Sequence, residues 1–198
     1  MERVVNIIGM GASARNTPDT GENWGINVAY KYAKLDKMFF FDDFDVIMWD
    51  DTHNTGSRDV NIKQALDENP KLEIYSRFPD GIKENGVKFA DILEFPLNKA
   101  VTLMPGAYFT STVAYVIAYA IIEKVDRIRM YGFEMYSRSC ANEYTYQIPC
   151  VEFWLAFAMG RGIKVDMPFQ TIFQVQNKQN LYGYTMQELC DPRNREEK

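Results

Sequence analysis

This chain has little of what nucleophilic or metal-dependent enzymes are built from. It has one histidine, His53, and three cysteines, Cys140, Cys150 and Cys190. The cysteines have no metal-ligand spacing, and no Cys–His pair or Ser–His–Asp order stands in a helpful context. An odd number of thiols with no signal peptide fits reduced cysteines and a cytoplasmic setting. A basic excess is missing too. The 22 basic and 27 acidic residues leave a net charge of −5, which offers no footprint for duplex nucleic acid or an anionic membrane. No apolar run is long enough to span a bilayer. The longest, Ala114 to Ile122, is broken by tyrosine and closes on Glu123-Lys124. There is no internal repeat and no linker. The 198 residues therefore read as one domain over 1–187 with a polar tail, 188–198.

What is present begins at the first residues. Val4-Val5-Asn6-Ile7-Ile8 is a short apolar run, rich in β-branched side chains, that suits a strand covered on both faces. Gly9-Met10-Gly11-Ala12-Ser13-Ala14 follows at once. Its glycines allow a sharp turn and bring backbone N–H groups close to a guest, for which phosphate is the natural choice. The polar stretch Arg15 to Glu22 contains Pro18 and leaves little room for a crossover helix. Trp24 to Ala29 reads as the second strand, with Asn27 near its carboxyl end. Lys37 to Asp43 reads as a third buried strand ending in Asp42 and Asp43.

Further on, the spacing predicts an amphipathic helix over Arg58 to Asn69 and a strand over Leu72 to Ser76. A buried helix is expected over Tyr108 to Lys124, with Thr110, Ser111 and Thr112 at its start. Its apolar surface serves either the subunit's own core or a homo-oligomer contact. Asp126 to Gly132 is a strand ending at a glycine, followed by Glu134 and Tyr136. Ser137 to Ile148 reads as polar loop, and Pro149 as the N1 residue opening a helix over Cys150 to Gly160. Gly162 to Asp166 is a last strand. Alternating strands and helices predict an α/β fold: Rossmann-like, with a mostly parallel sheet and helices on both faces.

In such a sheet, ligands bind at the carboxyl ends of the strands. The residues there are Gly9, Gly11, Ser13, Asn27, Asp42, Asp43, Thr110, Ser111, Glu134 and Tyr136. The opening loop fits the dinucleotide pattern G-x-G-x-x-[G/A]. A dinucleotide site also needs an immediate helix and an acid closing the second strand, and here Pro18 and Asn27 stand in the way. A mononucleotide or other phosphate-bearing ligand is preferred to NAD and to an empty tight turn. Asp42 and Asp43 either hold Mg²⁺ against phosphates or cap a turn. Thr110 and Ser111 either cap a helix or face a ligand, with capping preferred. Glu134 is a candidate pocket residue. His53 reads as a solvated loop residue rather than a general base.

Three stretches together carry a resemblance: Gly9-Met-Gly-Ala-Ser13, Trp24-Gly-Ile-Asn27, and Thr110-Ser-Thr-Val-Ala114 through Tyr131-Gly-Phe-Glu-Met-Tyr136. The layout resembles a superfamily of Rossmann-like proteins. It includes the 6-hydroxymethylpterin pyrophosphokinase-like proteins, the motility-associated factors and the bacterial sialyltransferases that use CMP-sialic acid. The later Glu143 to Gly162 region looks like small phage and bacterial members of that group. The resemblance implies that Gly9, Gly11 and Ser13 cradle phosphates, that Asn27 contacts the nucleoside, and that Thr110 and Ser111 face the ligand. Glu134 stands where the family often has Asp. The sialyltransferases use a catalytic histidine in their C-terminal region, which this chain lacks. The expectation is a nucleotide- or nucleotide-sugar-binding transferase, glycosyltransferase-like or pyrophosphokinase-like. Asp42, Asp43 and Glu134 are its candidate catalytic residues, and Asp42 and Asp43 its candidate Mg²⁺ ligands. The alternative is a non-catalytic sensor or sequestering protein.

Overall fold

A computed structural model describes residues 2–41, 47–48, 60–80, 92–134, 141–169 and 171–173. The strands, in chain order, are β1 (Val4–Ile8), β2 (Glu22–Ile26), β3 (Lys37–Phe40), β4 (Ile47–Met48), β5 (Val60–Asn61), β6 (Glu73–Ser76), β7 (Ile92–Glu94), β8 (Arg127–Tyr131) and β9 (Lys164–Asp166). Among the described residues β4 and β5 pair only with each other. The other seven form one all-parallel sheet in the order β7-β6-β3-β2-β1-β8-β9. The fold is α/β, as the alternation predicts.

The strand order explains the two faces. From β1 the chain steps outward through β2, β3, β6 and β7, then returns to β8 and β9 on the other side. Right-handed crossovers place outward and return connections on opposite faces. The outward face is covered by two 3₁₀ turns, Ala12–Asn16 and Asn27–Lys31, and the helix Ile62–Glu68. Ala14, Ala29, Ala65 and Leu66 pack there on Ile8, Met38, Phe40 and Ile74. The return face carries the helices Thr112–Ile122 and Ala141–Gly160 over Val5, Ile7, Trp24, Phe39 and Met130. Neighbours along a strand go to opposite cores, the period-two rule of a pleated strand. The first crossover is a single 3₁₀ turn, in keeping with the little room that Pro18 leaves.

Several expected boundaries are corrected. The second strand ends at Ile26, with 27–29 in a 3₁₀ turn, and the helix expected from Arg58 starts at Ile62 after β5. The central helix starts at Thr112 rather than Tyr108, because Ser111 accepts a hydrogen bond from the Val113 N–H at 3.1 Å and so caps it. Val116, Ile117, Ala118 and Ala120 of this helix are fully buried within the subunit. Nor does the long helix open at Pro149. It begins at Ala141, so residues 141–148 are helical and not loop, and Pro149 lies inside it. Proline brings no N–H for the Thr145 carbonyl. At the next carbonyl, that of Tyr146, the Thr110 hydroxyl donates at 2.9 Å. Cys150 and Trp154 then fasten the same loop, donating from Sγ and Nε1 to the Tyr108 carbonyl at 3.3 and 2.9 Å. Among the described residues no helix is long and apolar enough to cross a membrane.

At the amino ends of the strands Arg3 ties three elements together. Its Nε donates to Glu22 at 2.8 Å, its Nη1 to the Glu123 carbonyl at 2.8 Å, and its backbone N–H to Asp126 at 2.7 Å. Burial alone would raise the Glu22 carboxyl. The hydrogen bonds from Arg3 and from the Trp24 indole outweigh it and hold the group below its ordinary value. A carboxylate depressed in the folded state adds stability above its unfolded pKa and loses it as pH falls through the folded one. The urea midpoint is therefore expected to drop as pH falls below about 4, and less steeply in Arg3→Met. Parallel curves for the two proteins would show that this cluster contributes nothing.

Candidate functional site

The sheet reverses its strand order at β1. The chain leaves β1 toward β2 on one side, while β8 lies on the other, with Ile8 in register with both Gly25 and Tyr131. Ligands of open α/β sheets sit at such a reversal, beyond the carboxyl ends. The register brings three segments there: Gly9–Ser13 after β1, Asn27 just past β2, and Gly132–Glu134 after β8.

The loops after β1 and β8 interlock. The Gly9 N–H donates to the Tyr131 carbonyl at 2.8 Å, and the Gly11 N–H to the Gly132 carbonyl at 2.9 Å. In return the Gly132 N–H donates to Ser13 Oγ at 2.8 Å, and Glu134 Oε1 accepts from the Ser13 N–H at 2.9 Å. The backbones lie so close that a Cβ on Gly9 would collide with the Gly132 carbonyl, and one on Gly11 with the Glu134 carboxylate. Gly132 holds φ at +78°, a conformation that suits glycine.

This interlock reassigns the loop's donors. The N–H groups of Gly9, Gly11 and Ser13, expected to cradle phosphates, are all engaged by β8 and its loop, or by Glu134. The Ala14 N–H returns to the Gly11 carbonyl at 3.1 Å. Among the described residues, the N–H groups of Met10 and Ala12 have no partner. Both residues are exposed, Met10 by 46%. Side-chain identity gives no signal for these donors, since they are backbone groups. What marks them is their alternation with Gly9, Gly11 and Ser13, whose N–H groups are taken by another loop.

Asn27 opens the second 3₁₀ turn with φ at +47°, one of two non-glycine residues described in the left-handed region. Asparagine tolerates that region better than most residues. Its Oδ1 is buried and has no hydrogen-bond partner. Glu134 Oε2 is likewise buried and unpartnered, beside Gly11. The structure thus brings Gly9, Gly11, Ser13, Asn27 and Glu134 to one edge of the sheet. Thr110 and Ser111 lie at the start of the central helix, where their hydroxyls contact the Tyr146 carbonyl and the Val113 N–H. The Ser111 contact is that of the capping alternative, whereas Thr110 ties the loop to the helix Ala141–Gly160. Asp42, Asp43, Tyr136 and His53 lie outside the described residues. Among the described residues no group of three acidic, histidine or cysteine side chains could hold a metal ion.

No protein-family model and no curated protein matches the chain. Solved structures do. The α-2,3-sialyltransferase from Campylobacter jejuni in apo form is similar at a TM-score of 0.53 and 16% identity, over 86% of this chain and 77% of that one. The Campylobacter jejuni sialyltransferase CstII with CMP-3FNeuAc follows at 0.47 and 18%, over 82% and 78%. The sialyltransferase CST-II with a trisaccharide acceptor and CMP stands at 0.46 and 15%, over 82% and 80%. At such identities the first of these shows a shared fold.

Proposed function

We propose that this chain binds a nucleotide sugar and transfers its glycosyl group, with the donor's phosphate held by the turn after β1. The observation that carries this reading is the pair of unspent N–H groups, Met10 and Ala12, at the reversal point of the sheet. Two backbone donors on either side of Gly11 suit the oxygens of one phosphate. The next donor along, the Ser13 N–H, is already taken by the Glu134 carboxylate. A second phosphate there would meet a negative charge in place of a donor. The geometry therefore favours a donor with a single phosphate, such as a nucleoside monophosphate sugar, over ATP or NAD, and a glycosyltransferase-like role over a pyrophosphokinase-like one. The unpartnered Asn27 Oδ1 is available to a donor on the nucleoside, such as a ribose hydroxyl or a base amine. Glycosyl departure asks mainly for positioning and for stabilisation of the leaving phosphate. The likeness in fold to a sialyltransferase agrees with this reading.

The decisive variant is Ala12→Pro. Ala12 is the first residue of its 3₁₀ turn, where proline is tolerated. Gly11, before it, has φ −77° and ψ 171°, which a following proline accepts. The change deletes one N–H and little else. Nucleoside monophosphates and their sugars are expected to stabilise the wild type in a thermal-shift series, and UDP-sugars, ATP and NAD less. Ala12→Pro should bind roughly ten- to a hundredfold more weakly, as for loss of a charge-assisted hydrogen bond, with its own melting temperature unchanged. Unaltered affinity would remove the turn from the site. Running each ligand with Mg²⁺ and with EDTA tests the metal role foreseen for Asp42 and Asp43. Binding without glycosyl transfer or hydrolysis would select the non-catalytic sensor or sequestering role, which the lone histidine favours.

A further inference from the structure

The Tyr115 ring is held on several sides. It stacks on Phe109 at 4.3 Å and 4°, on Phe41 at 4.8 Å and 22°, and meets Phe95 edge-on at 5.3 Å and 74°. Phe109 stacks in turn on Trp154 at 4.7 Å. Four rings, Phe41, Tyr115, Phe109 and Trp154, thus form one column. Yet the Tyr115 hydroxyl has no hydrogen-bond partner among the described residues. One helical turn deeper, Tyr119 shows the usual solution, its hydroxyl paired with that of Tyr75 at 2.8 Å. A half-buried tyrosine with its ring packed on neighbours and an unspent polar tip has its hydroxyl available for a partner from outside.

Its position is also specific. The central helix runs from the carboxyl edge of the sheet, where Ser111 caps it, to the amino edge, where Glu123 meets Arg3. Tyr115 lies in the first turn, at the carboxyl edge. Phe41 and Phe95 directly follow β3 and β7, and Arg77 directly follows β6. Burial pushes the Tyr115 phenol up, with Cys150 acting in the same direction and Arg77 opposing. The group therefore stays protonated and presents a donor. β3 lies two strands from β1, a lateral step of about 10 Å. That is room for one further ring beyond a phosphate seated on the β1 turn.

We propose that the Tyr115 hydroxyl is a ligand-binding group, donating a hydrogen bond to an oxygen of the sugar that the nucleotide carries. This rests on the function proposed above. The ring column fixes the position of the hydroxyl oxygen before the ligand arrives and leaves only the O–H rotor to turn toward its acceptor, so little freedom is lost on binding.

Tyr115→Phe keeps the column and removes only the hydroxyl. Isothermal titration of wild type, Tyr115→Phe and Ala12→Pro with CMP, UMP, CMP-N-acetylneuraminate and UDP-glucose tests the assignment. Tyr115→Phe is expected to weaken the sugar nucleotide that binds wild type by about tenfold, and to leave the matching nucleoside monophosphate unchanged. Ala12→Pro should weaken both. An unchanged sugar nucleotide in Tyr115→Phe would overturn the assignment while leaving the nucleotide site standing. Equal weakening of both ligands in that variant would overturn it too, since the hydroxyl would then not be reading the sugar. Failure of every probe to bind wild type would overturn the functional reading itself, and the assignment with it. Equal melting temperatures for wild type and Tyr115→Phe confirm that the column is intact.

Discussion

Gly132→Ala is expected to lower the unfolding free energy by about 3 kcal/mol, read as a fall in the urea midpoint at unchanged slope. Two costs add. Alanine at φ +78° is strained, and its Cβ would sit 2.9 Å from the carbonyl carbon and oxygen of Gly9 and 3.0 Å from Ala14 Cβ. The obstructing atoms are mostly backbone at the end of the central strand, so no flexible side chain can swing away. Gly162→Ala separates the two costs. Gly162 also has a positive φ, of +88°, but nothing lies within 4 Å of the added Cβ. It should lose only the strain, about 1 kcal/mol. Equal losses in both variants would mean that the close approach of the two loops contributes nothing. Any ligand affinity of Gly132→Ala should fall as well, because the same contact sets the direction of the Met10 and Ala12 N–H groups.

Trp154→Ala is expected to cost more, about 4 kcal/mol, a large part of the stability of an ordinary domain. Trp154 is fully buried, stacks on Phe109, meets Phe153 and Phe157 edge-on, and donates to the Tyr108 carbonyl. Truncation leaves a cavity, removes a ring from the column that holds Tyr115, and takes one donor from the Tyr108 carbonyl. Trp154→Phe keeps one six-membered ring for the stack and loses the rest of the indole with its N–H, so its loss should be smaller, about 2 kcal/mol. Far-UV circular dichroism is the appropriate probe, since the substitution removes a fluorophore. A Trp154→Ala protein as stable as Trp154→Phe would show that the cavity closes and that the column is not held from this side.

Much of the framework was legible in the chain. β1 and β3 are short, mostly apolar runs, and β6, β8 and β9 place apolar residues among polar ones close to a glycine, proline or polar turn, so pattern and punctuation find them. The absence of a crossover helix after β1 follows from Pro18 and from the number of residues available. Ser111 as a cap follows from its hydroxyl next to an apolar helix. Two features were not legible, for one physical reason. Residues 141–148 are helical because the loop carrying Tyr108 and Thr110 fastens onto the helix around Pro149, and that loop lies far away in sequence. Likewise the glycines after β1 are glycines because β8's loop presses on them. The glycines mark a sharp turn at Gly9 to Ser13, but not that β8 and its loop occupy three of its donors. Only long-range contact reveals that Met10 and Ala12 hold the unspent ones. Glu134, a candidate for catalysis by position, is seen in the structure as the residue that grips Ser13.

The place of β1 in the sheet also sets the order in which the molecule can be assembled. β1 is made before the strands it pairs with, yet it lies between β2, which follows after one short crossover, and β8, where Val4 pairs with Arg127. During synthesis one edge of the central strand fills early. The other edge stays open until Arg127–Tyr131 is made. An apolar strand with an open edge invites the wrong partner, and pairing across so long a loop is slow. A chain halted just after the central helix would hold most of its core, with its middle strand still zipped on one side only.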